Sequence, residues 1–424
     1  MIKLLIIADD FTGALDTGVQ FSKKGIPTLV TTDRRVCFQT IGGETEVLVI
    51  DIESRHASAR QAYESVKQVI KAAAGCGIRY FYKKTDSTLR GNIGAELAAL
   101  LETSGSNQLM FIPAFPKSSR TTKNGIQYVD GVELSKTVFS KDPFEPVRHS
   151  SVAEIIRQQS DVGMISIPSD RYAEAMQDYT DKTVFIFDAQ TDEDMLRLGG
   201  ELKRSNRLNV LAGCAGFAEM LPELLELKTV KMKWEPNRDN ILIVSGSVNQ
   251  IAIDQILYAK KHGYTALTLL PEQKLDSAFP DSPACAELVD GVVDALRKHK
   301  KVILESVSSR EQISLAEQYA KSKGIPLENL HLLITRNIGE IVKRIIKRIS
   351  VGNLAVFGGD TLFGIMEKLR CDGILPVVEI SPGIVAARVI SGTHGFCIIT
   401  KAGGFGGSSI IRVIDEFVFK EEDC

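Results

Sequence analysis

Short apolar runs alternate with amphipathic stretches along the whole chain. In the first half IKLLIIA (2–8), EVLVI (46–50), IRYFY (78–82), QLMFI (108–112), VGMISI (162–167), TVFIF (183–187) and LNVLA (208–212) are rich in branched residues and alternate little. That is how parallel strands buried on both faces read. Between them the spacing predicts helices over 57–74 and 94–101. A third helix starts after Ser151, which with Glu154 offers a capping box, and runs to about Gln159. Repeated strand–helix alternation predicts a sheet covered by helices on both faces.

The stretch 113–146, rich in Pro, Ser, Thr, Lys and Gly, breaks this rhythm and holds a hairpin-like YVDGVELS (128–135). A long irregular excursion inside a compact domain is more often functional than decorative. Composition shifts again at KTVKMKWEPNRDN (228–240), which carries the only Trp. A second alternation follows, with strands predicted at 241–245, 264–270, 301–306, 353–357, 376–381 and 396–400. Helices are predicted there over 249–262, 284–298, 310–323 and 338–349. The expected fold class is α/β, as two three-layer α/β/α domains with mainly parallel sheets. The expected boundaries are a domain over 1–228, a linker over 229–240 and a domain over 241–424.

Composition excludes more than it assigns. The 424 residues are enough for two or three domains, each with a full core. Fifty-one basic against 53 acidic side chains, a net charge of −2, argue against a nucleic-acid partner. No dense Lys/Arg cluster suggests a membrane anchor, and no apolar run approaches the roughly 18 residues of a span. The N-terminal run is too short for a secretory signal. The seven cysteines are scattered singly with no C-x-x-C pair, as in reduced cytoplasmic proteins. No His cluster has metal-ligand spacing, so no protein-built metal site is expected.

Ligands of open parallel sheets bind beyond the carboxyl ends of the strands. The first strand ends in Asp9-Asp10-Phe11-Thr12-Gly13. One aspartate can cap the following helix; a second is then free to act as a general base or to help hold Mg²⁺. The run at 78–82 leads into Lys83, Lys84, Thr85, Asp86, Ser87, Thr88, Arg90 and Asn92. A solvated polar loop would have such a composition too. Lys and Arg there can also clamp a carboxylate while Asp86 and Ser87 bind hydroxyls, which suits a small polyhydroxy acid. Arg55, beyond the 46–50 strand, is placed to join them.

The second half has three strand-to-helix junctions of small residues: Ser245-Gly246-Ser247, Gly358-Gly359-Asp360-Thr361, and the glycine-rich 402–409 with Gly403 and Gly404. Each alone fits an ordinary turn or cap. Three in one domain point to a phosphate or nucleotide site, since glycines let backbone N–H groups approach an anion. G-x-x-x-x-G-K-[ST], G-x-G-x-x-G after the first strand of either half, H-E-x-x-H and G-x-S-x-G are all absent.

Together IADDFTGALDTGVQFSKKG (7–25), YKKTDSTLRGNIGAEL (82–97), VSGSVN (244–249), FGGDT (357–361) and TKAGGFGG (400–407) resemble the four-carbon acid sugar kinase family. The motifs fall in that family's order and span nearly the whole chain. The resemblance implies an N-terminal domain that binds a four-carbon sugar acid and a C-terminal domain that binds ATP. It implies transfer of phosphate to the 4-hydroxyl of D-threonate, D-erythronate or a 3-oxo-tetronate, and the KKTDSTLRGN form leans toward the first two. Carried over by motif, Asp9, Arg55 and Lys84 to Ser87 fall on the acid side. Ser245, Gly358 to Thr361 and Gly403 fall on the ATP side. Either Asp10 or Asp86 would take the hydroxyl proton, Lys83, Lys84, Arg90 and Arg55 would meet the acid's charge, and Mg²⁺ would arrive with ATP. A homo-oligomer stays open, and a nicotinamide-dependent dehydrogenase and a non-catalytic binding protein remain as rivals.

Overall fold

The computed structural model describes residues 2–420 apart from 35, 37, 39–40, 42–43, 143–144, 178, 231–236, 372, 391–395 and 402–404. The chain divides into two compact units, Met1–Met232 and Lys233–Cys424.

In the first unit the strands are β1 (Leu4–Ala8), β2 (Thr28–Thr31), β3 (Val47–Asp51), β4 (Tyr80–Lys84), β5 (Gln108–Ile112), β6 (Arg120–Lys123), β7 (Ile126–Val129), β8 (Val132–Glu133), β9 (Gly163–Ile167), β10 (Thr183–Phe187) and β11 (Val210–Gly213). Its helices are α1 (Phe11–Ser22), α2 (Ala59–Ala73), α3 (Ile93–Thr103), α4 (Val152–Arg157), α5 (Asp192–Arg204), α6 (Ala215–Ala218) and α7 (Leu221–Leu224). Eight strands form a parallel sheet in the order β2-β3-β1-β4-β11-β5-β10-β9. Leu5, Ile7, Leu48 and Ile50 face a core with Val66 and Val69 of α2 and Leu97 and Leu100 of α3. Helix α1 packs against β1, β2 and β3. The 113–146 excursion contributes an antiparallel three-stranded sheet, β6-β7-β8, so the expected hairpin has a third strand.

The chain leaves β1 for β2 and β3 on one side, then crosses to β4 on the other. Ala8 stands level with Asp51 and with Lys84, so three strands end together at this topological switch.

The second unit holds β12 (Ile241–Ser245), α8 (Gln250–Lys261), β13 (Thr265–Thr268), α9 (Pro271–Leu275), α10 (Pro283–Lys298), β14 (Lys301–Glu305), α11 (Arg310–Ser322), α12 (Leu330–Arg348), β15 (Asn353–Phe357), α13 (Gly359–Leu369), β16 (Gly373–Ser381), β17 (Ile384–Ile390), β18 (Cys397–Lys401) and α14 (Ile410–Phe419). Its strand order is β13-β14-β12-β15-β18-β17-β16, with β17 antiparallel to β18 and β16, and the run from β13 to β18 parallel throughout. Here β12 lies between β14 and β15, as β1 lies between β3 and β4.

Three of the elements that differ from the periodicity have a clear local reason. β2 is a four-residue strand with threonine at both ends, too short to stand out. β17 follows the Pro382-Gly383 turn as an antiparallel return, a connection that parallel alternation does not anticipate. Helix α12 begins at Leu330 rather than 338, because Asn337, a break in its apolar stripe, is buried with its amide donating to the Gln273 and Asp276 carbonyls.

Candidate functional site

Asp10 caps α1, its Oδ1 accepting from the Gly13 N–H at 3.2 Å. Capping leaves most of its carboxylate for Arg55. Nη2 of Arg55 lies 2.6 Å from Asp10 Oδ1 and Nη1 3.0 Å from Oδ2, while Nε donates to Asp9 Oδ2 at 2.8 Å. The same guanidinium stands 3.9 Å from Asp86 Oδ1. One arginine thus gathers carboxylates from the ends of β1 and β4. The β3 loop that carries it is tied to β1, the Ser54 and Arg55 N–H groups both donating to the Asp9 carbonyl. Glu53, just before, takes φ 42°.

Lys84 approaches Asp9 Oδ1 to 3.8 Å from the adjacent strand. Gly13 makes room for it: a Cβ there would lie 2.4 Å from Asp10 Oδ1 and 2.5 Å from Lys84 Nζ. Asp86 is clamped by Arg90, whose Nε and Nη2 donate at 2.8 and 3.2 Å, and also accepts from the Thr88 hydroxyl. Arg90 Nη1 reaches Asp142 Oδ2 at 3.2 Å. Asp142 comes from the excursion, whose composition marked it as unusual but pointed to no particular residue.

Charge balance sets the protonation states. Burial pushes the Asp9 carboxyl up, but Arg55, Lys84 and Lys83 outweigh it and hold it below its ordinary value. Burial is outweighed for Asp86 too, by Arg90 and Arg55, which hold it well below the carboxylate range. For Lys84 burial favours the neutral amine, yet Asp9 and Asp10 raise its pKa. Asp9 and Asp86 are thus held ionised against protonated Lys84, and the cluster sets Arg55, Lys84 and Arg90 among Asp9, Asp10, Asp86 and Asp142.

Some expected residues stand elsewhere. Consecutive strand residues point to opposite faces, so Lys83 turns away from Lys84. It is fully buried in an ion pair with Glu96 of α3 at 3.0 Å and donates to the Lys84 carbonyl at 2.7 Å. It is not available to a ligand. Asn92 also faces inward, its amide donating to the Ser54 and Ala57 carbonyls at 2.8 Å each, so it braces the Arg55 loop. Thr85 is buried beside β11, its N–H donating to the Gly213 carbonyl at 2.8 Å. Ser87 is half-buried and its carbonyl accepts from the Gln127 amide.

In the second unit Ser245 and Gly358 end adjacent strands at the other switch. The Gly246 N–H donates to the Phe357 carbonyl at 3.2 Å, and the Gly358 N–H to the Lys401 carbonyl at 3.3 Å. A Cβ at Gly246 would stand 2.0 Å from Thr361 Oγ1. Gly358 takes φ 117° at the start of α13, and exposed Asp360 lies in that helix's first turn. Ser245, Gly358, Gly359, Asp360 and Thr361 are thus close to one helix N-terminus, where free N–H groups favour an anion. Gly403 and Gly404 lie outside the described residues. Among the described residues no three His, Cys, Asp or Glu side chains group as metal ligands, and no helix is long and apolar enough to cross a membrane.

Residues 4–221 match the family described as "Sugar-binding N-terminal domain" and residues 242–411 that described as "Nucleotide-binding C-terminal domain". The chain is 29% identical to a D-threonate kinase of Salmonella typhimurium, over 97% of each chain. It is 28% identical to a D-erythronate kinase of Heliobacterium modesticaldum, over 96% of this chain and 95% of that one. A 3-oxo-tetronate kinase of Pseudomonas fluorescens is 26% identical, over 95% and 94%. In fold, a solved Salmonella typhimurium structure is similar at a TM-score of 0.82 and 21% identity, covering 98% of this chain and all of the other.

Proposed function

As a member of the four-carbon acid sugar kinase family, this chain is a phosphotransferase with an alcohol acceptor, and we propose that it phosphorylates the 4-hydroxyl of D-threonate or D-erythronate with ATP. The observation that carries the reading is the Arg55 fork, which gathers Asp9 and Asp10 beside Lys84 at one strand edge. Such a set has cations for a carboxylate and carboxylates for hydroxyls, the functional groups of a small sugar acid.

In this reading Lys84 and Arg55 meet the acid's carboxylate, and Asp9 accepts from a hydroxyl. Asp10 takes the 4-hydroxyl proton. Its side chain is 22% exposed, against 2% for Asp9 and 11% for Asp86. Asp86, held ionised by Arg90 and Arg55, is too weak a base for that step and keeps both arginines in place. The Gly358–Thr361 turn and the α13 N-terminus receive the phosphates, with Ser245, Gly403 and Gly404 completing the nucleotide side. Asp360, an exposed acid beside a phosphate site, suits a Mg²⁺ ion that takes one or two carboxylates and completes its shell with phosphate oxygens. Such an ion, when bound, neutralises phosphate charge. A reduced, cytoplasmic setting belongs to the same proposal, in keeping with the scattered cysteines.

The test is ADP release measured across D-threonate, D-erythronate, their L-forms and the 3-oxo-tetronates, with mass spectrometry of the product. A 4-phospho acid from D-threonate or D-erythronate is expected. Preference for a 3-oxo-tetronate would move the chain to that branch. No turnover with any four-carbon acid would sink the substrate assignment.

A further inference from the structure

Of the nucleotide-side residues named so far, Asp360 is negative and Lys401, buried at the end of β18 with its carbonyl accepting from Gly358, is a cation; the others are neutral. Phosphoryl transfer puts several negative charges at that site, and protein cations commonly help to meet them. The second unit has another buried cation close by. Lys274, on the short α9 after β13, is 1% exposed. Its ammonium donates to the Ser306 carbonyl. Among the described residues that is its only hydrogen-bond partner, and no carboxylate pairs with it. A buried ammonium without a counter-charge is costly to keep.

Its surroundings point to an anion. Ser306 follows β14, and its N–H donates to the Ser245 carbonyl at 2.8 Å, so Lys274 stands two hydrogen bonds from the first residue of the nucleotide set. The Ser306 hydroxyl is buried with no partner among the described residues. Helix α9 is held on both sides of the lysine, where the Asn337 amide donates to the Gln273 and Asp276 carbonyls at 3.2 and 2.7 Å. The neighbouring acid, Glu305, pairs with Lys260 and accepts from Thr268 at 2.6 Å, both through Oε1, while its buried Oε2 has no partner among the described residues. An ammonium lacking a counter-ion and a hydroxyl lacking a partner thus lie together beside the Ser245 edge of the switch.

We propose that Lys274, with the Ser306 hydroxyl, binds a phosphate of the bound nucleotide and adds a cation to this site. This rests on the reading of the second unit as the ATP side. The ammonium exchanges the Ser306 carbonyl for a phosphate oxygen by rotation about its own stem. Desolvation holds the Lys274 pKa down to about 8, as expected of an ammonium whose counter-charge arrives only with a ligand.

The experiment is calorimetric titration of full-length wild type, K274Q and K274M with MgATP, MgADP and adenosine. Gln keeps an N–H donor for the Ser306 carbonyl while removing the charge. The expected result is a loss of about 10- to 100-fold in ATP and ADP affinity in both variants, the range of one charged hydrogen bond. Adenosine affinity should stay within about threefold of wild type. Equal loss for adenosine, or unchanged ATP affinity in a folded K274Q, would overturn the assignment. If neither neutral variant folds, S306A carries the test, and unchanged ATP affinity in a folded S306A would overturn the assignment equally. Wild type that binds no nucleotide would instead refute the underlying ATP reading.

Discussion

Arg55 and Asp10 meet as two forks, Nη2 to Oδ1 at 2.6 Å and Nη1 to Oδ2 at 3.0 Å. Both planes are used, and the third nitrogen is spent on Asp9. A lysine at position 55 keeps the charge but not the fork, so the exchange is not conservative. Arg55→Lys is expected to lower kcat/KM for the sugar acid by about 100-fold, the loss of roughly two charged hydrogen bonds. KM for ATP should stay within about threefold. Steady-state kinetics with each substrate varied in turn checks the split.

Asp10 and Asp86 should separate cleanly. Asp10→Asn is expected to reduce kcat by about 100-fold or more, as for loss of a general base. Asp86→Asn should act mainly on KM for the acid, because it releases Arg90 and Arg55. A larger kcat loss in Asp86→Asn than in Asp10→Asn would reverse the two roles.

Asp86 also makes a pH prediction. Its folded-state pKa lies well below the usual 3.8, so it contributes stability above that value and loses it as pH falls through the lower folded value. The stability gap between wild type and Asp86→Asn should be full at pH 7 and narrow below about pH 4. Urea titrations at the two pH values measure it.

Lys83 and Glu96 form a fully buried ion pair. Breaking such a pair by removing one partner typically costs about 3–5 kcal/mol, while replacing both by apolar groups is close to neutral. Lys83→Met is therefore expected to be strongly destabilising and Lys83→Met/Glu96→Leu much less so. A double variant as unstable as the two single changes combined would contradict the pairing.

The lysine at 274 predicts a stability gain from its removal. Its pKa falls from 10.5 to about 8, a penalty of about 3 kcal/mol at 1.36 kcal/mol per unit, less the lost bond to Ser306. The unfolded chain holds that proton more tightly, so wild-type stability gains from this group as pH rises from about 8 to 10.5. Lys274→Met should raise Tm without nucleotide at pH 7, and the advantage should shrink through that window. Differential scanning calorimetry at pH 7 and pH 10 shows which way it runs.

Much of this protein is legible in its sequence. The branched runs ending at Ala8, Ile112 and Phe187 are strands, as their lack of alternation predicts. Asp10 caps α1, and Ser151 caps α4 by accepting from the Glu154 N–H at 3.3 Å. Asp9, Asp10, Arg55 and Asp86 all lie just after strand ends and share one cluster. These features are local: a period, a cap and a strand end are properties of a few consecutive residues, and those the chain states directly.

The structure decided what depends on partners distant along the chain. Lys83 and Lys84 are indistinguishable as letters, but the pleat sends one to Glu96 and the other toward Asp9. Asn92 looked like a ligand-binding amide and instead braces the Ser54 and Ala57 carbonyls. Asp142 and Lys274 carried no motif at all. Their significance comes from Arg90, 52 positions away, and Ser306, 32 positions away. Local backbone preference and burial set the elements, so the sequence alone determined their kind and the strand ends at which the charged residues lie. Strand order, crossover and facing packing set the partners, and these long-range pairings only the tertiary structure could decide.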